Sequence, residues 1–303
     1  MKFKTQFVIL LFSLLFLFYP GDSYYIKLFF FNRDLFANTK KNINLPSGSF
    51  PYSINPNFIP QITAEGSYVI DSDSFTPIFQ KQQSRQFLPA STTKIITALV
   101  AFDYYRLDSM LTVERVIDEG QSMGLVKNEK ITFENLLYGL LVHSGNDAAY
   151  VIADNYPGGE KAFITAMNHK SKLIKMRNSV FKNPAGLDSP GQYTTPFDLA
   201  LAARQILINK TLAKIVSTKS ITVSDVDFKY FHSLNNVNKL LGEIQGIGGL
   251  KTGYTLDAGE NLVTFYKKNG HDYLIVILKS LDRFEDTKRI VEWINTNVGY
   301  INI

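Results

Sequence analysis

No cysteine occurs in this chain of 303 residues. That absence excludes a disulfide framework, a thiolate nucleophile and any thiolate-held metal, and it suits an oxidising compartment. The four histidines are widely scattered and no His-Glu-x-x-His occurs, so no metal site is expected. A Gly-x-Ser-x-Gly elbow is also missing, which argues against an α/β-hydrolase triad. The glycine-rich stretch before Lys251-Thr252 lacks the glycine that a phosphate loop needs ahead of its lysine, since Leu250 stands there. Charge of one sign is scarce as well: 32 basic against 27 acidic residues leave +5, too small and dispersed an excess for nucleic acid. Charged residues make up 19% and hydrophobic ones 45%, so a disordered chain is excluded and a globular one expected.

The longest apolar run, residues 7–19, falls short of the roughly 18–20 residues that span a bilayer. Lys2 and Lys4 precede it and Pro20-Gly21 close it, the pattern of a secretory signal. Gly21 and Ser23 admit cleavage after Ser23. The alternative is an uncleaved N-terminal membrane anchor, to which the apolar residues 24–31 would add contact. Residues 1–23 are therefore read as signal or anchor, and 24–60, rich in Asn, Pro, Ser and Lys, as a linker or poorly ordered lead-in. A single catalytic unit is expected over 61–303.

Within it, 66–71 and 75–79 read as short strands joined by a polar turn. Residues 91–107 are apolar nearly all round and predict a buried helix. Helices are expected at 133–142 and 147–154, flanking a polar break at Ser144, and an amphipathic one at 161–175. Thr195-Pro196-Phe197-Asp198 has the shape of a capping box and starts a helix to about Leu207. Strands are predicted at 247–254, 260–267 and 272–279, the last two joined through Asn269-Gly270, followed by a helix over 283–297. Strands at both chain ends with helices between give an α+β class, its antiparallel sheet built from both ends around a helical subdomain.

Three short motifs carry chemistry. Ser91-Thr-Thr-Lys94 at a helix start puts an amine one turn from a hydroxyl. Burial would lower the lysine pKa and let the amine take the serine proton. Ser144-Gly145-Asn146 breaks two apolar helices where a polar interruption has no packing benefit. Lys251-Thr252-Gly253 occurs once, in a predicted strand, where a glycine lets a ligand backbone approach the edge. Decoys exist: Ser179-Val-Phe-Lys182 repeats the first pattern, and Ser53-Ile-Asn55 and Ser233-Leu-Asn235 the second. Order and spacing of the three together are far more specific than any one.

That order resembles the serine penicillin-recognising enzymes. The runs Leu88-Pro-Ala-Ser-Thr-Thr-Lys-Ile-Ile-Thr-Ala-Leu-Val100, Ser144-Gly-Asn-Asp-Ala-Ala149, Phe181-Lys-Asn-Pro-Ala-Gly-Leu187 and Gly248-Gly-Leu-Lys-Thr-Gly-Tyr-Thr255 resemble the low-molecular-mass D-alanyl-D-alanine carboxypeptidases, over about residues 65–298. The resemblance implies a serine β-lactamase/DD-peptidase-like fold. It makes Ser91 the nucleophile and Lys94 its base, with the main-chain N–H groups of Ser91 and Tyr254 as oxyanion donors. Ser144 would pass a proton to the leaving amine and Asn146 would orient Lys94. Lys251, Thr252 and Gly253 would bind the substrate's end. Its partners would be a peptidoglycan stem peptide ending in D-Ala-D-Ala and β-lactams as covalent inhibitors, without a cofactor. His143, beside Ser144, could be a pH-tuned partner but reads as packing, and Arg283, after the last strand, could read the substrate carboxylate but reads as a surface helix start.

A class A β-lactamase shares the motif order but carries a deacylating Glu after the second motif. Residues 170–203 contain none, only Asp188 and Asp198. An endopeptidase on cross-links keeps the same chemistry, and a non-catalytic wall-binding homologue would have no use for six intact site residues. Many of the family add a C-terminal β-domain and an amphipathic membrane helix. This sequence reaches Ile303 soon after its last helix, so membrane contact is expected only through the N-terminal apolar segment, in an exported protein.

Overall fold

The computed structural model of the chain describes residues 2–17 and 48–302, which belong to two compact units, Met1–Gly48 and Ser49–Ile303. The first unit contributes one helix, α1 (Lys2–Leu17), with large apolar side chains such as Phe7, Leu10 and Phe12 exposed. Among the described residues no helix is long and apolar enough to cross a membrane. The cleavage point after Ser23 and the lead-in up to residue 47 lie outside the described residues.

The second unit is organised by a five-stranded antiparallel sheet. Its strands are β2 (Gly66–Asp71), β3 (Pro77–Lys81), β8 (Ile247–Thr255), β9 (Gly259–Lys268) and β10 (His271–Ser280), in the order β3-β2-β10-β9-β8. Early and late strands meet where β2 pairs β10, so the expected joining of the two chain ends holds. Alternation along the strands assigns each side chain to a face. Tyr68, Ile70, Leu274, Val276 and Val263 join the large core under the helices. Val69, Ile275, Ile277 and Leu262 join a second core beneath α8 (Arg283–Asn297), through Ile290, Trp293 and Ile294. Both faces are covered, which is why these strands read as almost continuous apolar runs.

The helical layer comprises α2 (Lys94–Tyr104), α3 (Phe133–Leu141), α4 (Asn146–Asp154), α5 (Gly159–Leu173), α6 (Pro196–Ile208) and α7 (Lys210–Val216). Thr195 caps α6 as its sequence implies, its hydroxyl accepting from Asp198 N at 3.1 Å. The Asp198 carboxylate does not return to the cap. It accepts from Asn178 N and Ser179 Oγ, tying the helix to the preceding loop.

Four features depart from the sequence reading. The strand expected at 75–79 begins at Pro77, because the Asp71 carboxylate accepts from Ser74 N and Oγ and curls the chain, leaving Phe75 at φ +59. The helix expected from Ser91 opens as a 3-10 turn over Ala90–Thr93, becomes α-helical at Lys94 and ends at Tyr104. Two small antiparallel pairs were not foreseen: β4 (Met110–Thr112) with β5 (Lys130–Thr132), and β6 (Ser220–Ser224) with β7 (Phe231–Asn235). Finally, β1 (Ser49–Ser53), within the stretch read as lead-in, pairs with β11 (Val298–Asn302).

Candidate active site

The 3-10 turn sets up the first pair. Residues three apart eclipse one another in that geometry, so Ser91 and Lys94 point along one line, with Lys94 Nζ 2.9 Å from Ser91 Oγ. Lys94 is fully buried. Its Nζ also donates to Asn146 Oδ1 at 2.7 Å and to the Ala185 carbonyl at 2.8 Å. Desolvation lowers its pKa to about 7, opposed by the negative charge of Asp147. A neutral amine has two N–H groups and one lone pair. With both N–H groups given to carbonyl-type acceptors, the lone pair is left facing the serine hydroxyl.

The second motif lies in the break between α3 and α4. Ser144 sits at φ +65, and Gly145 N donates to Gly139 O at 2.8 Å, turning the chain sharply between the helices. Asn146 thereby opens α4 and faces Lys94. Its Nδ2 donates to Glu119 O at 2.6 Å, which selects the amide orientation that presents Oδ1 to the lysine.

The third motif lies on β8, the edge strand, which faces the 3-10 turn. Lys251 is buried, and its Nζ donates to Ser144 Oγ at 2.8 Å and to Thr252 O at 2.9 Å. Burial, then the charges of Lys94 and Arg283, push its pKa well below the ordinary lysine value. Gly253 has a different use from the one its sequence suggested. A Cβ there would stand 3.1 Å from Ser91 N and Thr92 N, so the glycine admits the protein's own nucleophile turn against the strand. The Tyr254 side chain is exposed, 57% accessible, and its residue lines the cleft beside Gly253.

All eight residues singled out from sequence fall around one locus, a cleft of about 660 Å³ lined by Ser91, Ser144, Asn146, Thr252, Gly253 and Tyr254, with Lys94 and Lys251 buried behind it. The decoys go elsewhere. Ser179 bonds to Asp198, Ser53 accepts from Asn297, and Asn235 lies on β7 beside His143. His143 contacts Gln121 through its ring nitrogen at 2.9 Å and takes no part in the Lys94 or Lys251 bonds.

Three contributors escaped the sequence reading. Ala185 supplies only a carbonyl, and the visible signal was its run, Phe181-Lys-Asn-Pro-Ala-Gly-Leu187. Gly186 holds φ +88 with the Ala90 carbonyl so close that no side chain fits. Asn261, from β9, donates to the carbonyls of Leu88 and Pro89 and fixes the approach to Ser91. Arg283 is the first residue of α8, as expected, yet it lines the cleft rather than open surface. Its Nη1 donates to Gly253 O at 2.8 Å, while its buried Nε has no partner among the described residues.

The arrangement can therefore perform acyl transfer: a hydroxyl with a neutral amine as base, a second hydroxyl beside a buried lysine, and a cation at the mouth. A Streptomyces DD-transpeptidase crystal structure superposes with a TM-score of 0.73 at 30% identity, covering 78% of this chain and 98% of that one. Fold and site together define the serine β-lactamase-like DD-peptidase class. The family model for D-alanyl-D-alanine carboxypeptidase matches residues 54–281, and the chain belongs to that family. Among curated relatives, a D-alanyl-D-alanine carboxypeptidase of Bacillus subtilis is 32% identical over 222 residues, covering 71% of this chain and 57% of the relative. One from Escherichia coli is 30% identical over 283 residues, covering 86% and 70%. The match thus spans little more than half of the Bacillus protein.

Proposed function

We infer that the protein is a serine D-alanyl-D-alanine carboxypeptidase that removes the terminal D-alanine of peptidoglycan stem peptides through an acyl-enzyme on Ser91. The observation that carries this is the buried Lys94 amine, lowered to about 7 and set 2.9 Å from Ser91 Oγ with its N–H groups already engaged. As Oγ bonds to the penultimate D-alanine carbonyl carbon, the hydroxyl proton moves to Lys94 Nζ. The oxygen takes up negative charge beside the main-chain N–H groups of Ser91 and Tyr254. Removing one such donor costs about 2.7–4 kcal/mol of barrier. When the C–N bond breaks, Ser144 Oγ hands a proton to the departing amine, with Lys251 Nζ behind it at 2.8 Å. Water then adds to the acyl carbon, its proton replaces the one Ser144 gave up, and Lys94 returns its proton to Ser91 Oγ as the ester bond breaks.

Arg283 and Thr252 receive the substrate's terminal carboxylate. The guanidinium is anchored by Gly253 O and Arg283 lines the cleft, and charge-assisted bonds to a carboxylate are the stronger ones. Penicillins acylate the same serine and leave slowly. Of the two acids in residues 170–203, Asp188 accepts from Thr255 Oγ1 and Asp198 from Ser179 Oγ and Asn178 N, so neither is free to activate water at Ser91.

This substrate lies outside the cytoplasmic membrane, which agrees with export through Lys2, Lys4 and α1. The apolar run of residues 7–19 is shorter than the roughly 18–20 residues of a span, which suits a signal. N-terminal sequencing of the mature protein decides: a start at Tyr24 means cleavage, and an intact Met1 means retention.

The test of function is labelled penicillin followed by peptide mapping. An adduct on Ser91, absent in Ser91→Ala, is expected. No adduct on the wild type, or undiminished label on the variant, overturns the reading. D-alanine release from a stem pentapeptide, with and without an acceptor amine, then separates hydrolysis from transpeptidation.

A further inference from the structure

Asp147 directly follows the second motif and is buried, yet it forms no ion pair among the described residues. Its Oδ2 accepts from Ser122 Oγ at 2.6 Å, Gly124 N at 2.9 Å and Leu125 N at 3.1 Å. Its Oδ1 accepts from Met123 N at 3.0 Å and Ala148 N at 2.9 Å. Four N–H groups and a hydroxyl converge on the carboxylate, the complement of its acceptor oxygens, and Gly124 N shares its bond with Ser122 Oγ at 3.0 Å. The loop it gathers also supplies Gln121 O, which accepts from Asn146 N at 2.7 Å, and Glu119 O, which accepts from Asn146 Nδ2. Gly120, between them at φ +73, lies so close that a Cβ would stand 2.7 Å from that nitrogen.

We propose that Asp147 is a positioning residue for the acylation site: it pins the 119–125 loop, which holds the Asn146 amide with its Oδ1 on Lys94, and its charge steadies the lysine. This rests on reading Lys94 as the base of Ser91. The charged groups facing Lys94 are few. Asp147 approaches from α4, Lys251 from β8 with Arg283 beyond it, and the 181–187 loop offers only the Ala185 carbonyl. Asp147 favours the protonated amine; it also faces the buried His232, which bonds Met123 O of the same loop and pairs with Glu129.

Acylation by fluorescent penicillin is measured against pH for the wild type, Asp147→Asn and Ser122→Ala, alongside thermal melts. In Asp147→Asn an amide NH₂ meets the loop N–H groups, so the loop lets go. The second-order rate constant falls about tenfold or more, and the acid limb moves to lower pH because Lys94 has lost its favourable anion. Ser122→Ala removes one loop bond but leaves the charge: a severalfold slower rate with the limb in place is expected. An Asp147→Asn enzyme with the wild-type rate and limb overturns the proposal, as does one that only melts earlier with an unmoved limb. If Asp147→Asn does not fold, a Ser122→Ala enzyme with the wild-type rate at every pH overturns it. Failure of the wild type to label at Ser91 refutes the reading of the site instead, so the two failures are distinguishable.

Discussion

At the scale of single residues, Lys94 is expected to set the pH response. Burial lowers its amine to about 7, and only the neutral form can take the Ser91 proton. Acylation is therefore expected to fall about tenfold per pH unit below 7 and to level off above it, which stopped-flow with a chromogenic β-lactam measures directly. Arg283 gives a second prediction at this scale. Arg283→Gln should lower kcat/KM for a D-Ala-D-Ala peptide by about 10–100-fold, the value of one charge-assisted contact of about 1.5–3 kcal/mol. A peptide amidated at its C-terminus should be hydrolysed equally poorly by both enzymes, since it lacks the carboxylate proposed to meet Arg283. If the variant discriminates the two peptides as the wild type does, Arg283 is not the reader.

At the scale of elements, two glycines let the pieces of the site touch. In Gly253→Ala the new methyl stands 3.1 Å from Ser91 N and Thr92 N. β8 must then retreat from the nucleophile turn, and acylation should slow by about 100-fold, the cost of about 1 Å of misplacement. Gly186→Ala meets the Ala90 carbonyl and a left-handed backbone at once, so it should lose stability too. About 2–4 kcal/mol is expected from strain plus overpacking, measured by urea unfolding. Long apolar or capped elements were legible in sequence: a helix in the α2 region, α6 and the β9–β10 hairpin occur where the apolar runs, the Thr195 cap and Asn269-Gly270 placed them. The β4–β5 and β6–β7 pairs were not. They are three to five residues long, too short for alternation to be told from chance, and β4 finds β5 only after an intervening loop. The α2 boundary was misread for another reason. Nothing local announces that Ala90 takes φ +46, in a turn packed against Gly186 and Gly253 from distant parts of the chain.

At the scale of the whole molecule, two buried side chains on α8 tie the beginning of the catalytic unit to its end. The Asp286 carboxylate accepts from Thr63 N, Thr63 Oγ1, Ala64 N and Ser280 Oγ. Asn297 donates to Ser53 Oγ and to the carbonyls of Asn55 and Phe58. Asp286→Ala leaves several donors unpaired and should cost about 3 kcal/mol or more, read by urea unfolding. The acid limb of acylation should stay in place, since Asp286 does not appear among the charges acting on Lys94. A chain starting at Ser49 should fold and label with penicillin like the full protein, whereas one starting at 61 lacks β1 and the Asn297 contacts and should melt earlier.

The absence of cysteine, the scattered histidines and the three spaced motifs by themselves pointed to a serine paired with a lysine as the nucleophile to expect. Residue type and spacing carry that much, because a hydroxyl and an amine three apart at a helix start share a face wherever the helix goes. Tertiary structure alone decided what makes the pair competent. The Ala185 and Glu119 carbonyls, the reach of Arg283 and the burial of Lys94 come from segments far apart in the chain. A main-chain carbonyl is the same group in every residue, so its place at the site leaves no mark in composition. A desolvated amine likewise exists only once the sheet edge, the nucleophile turn and the α3–α4 break have closed around it.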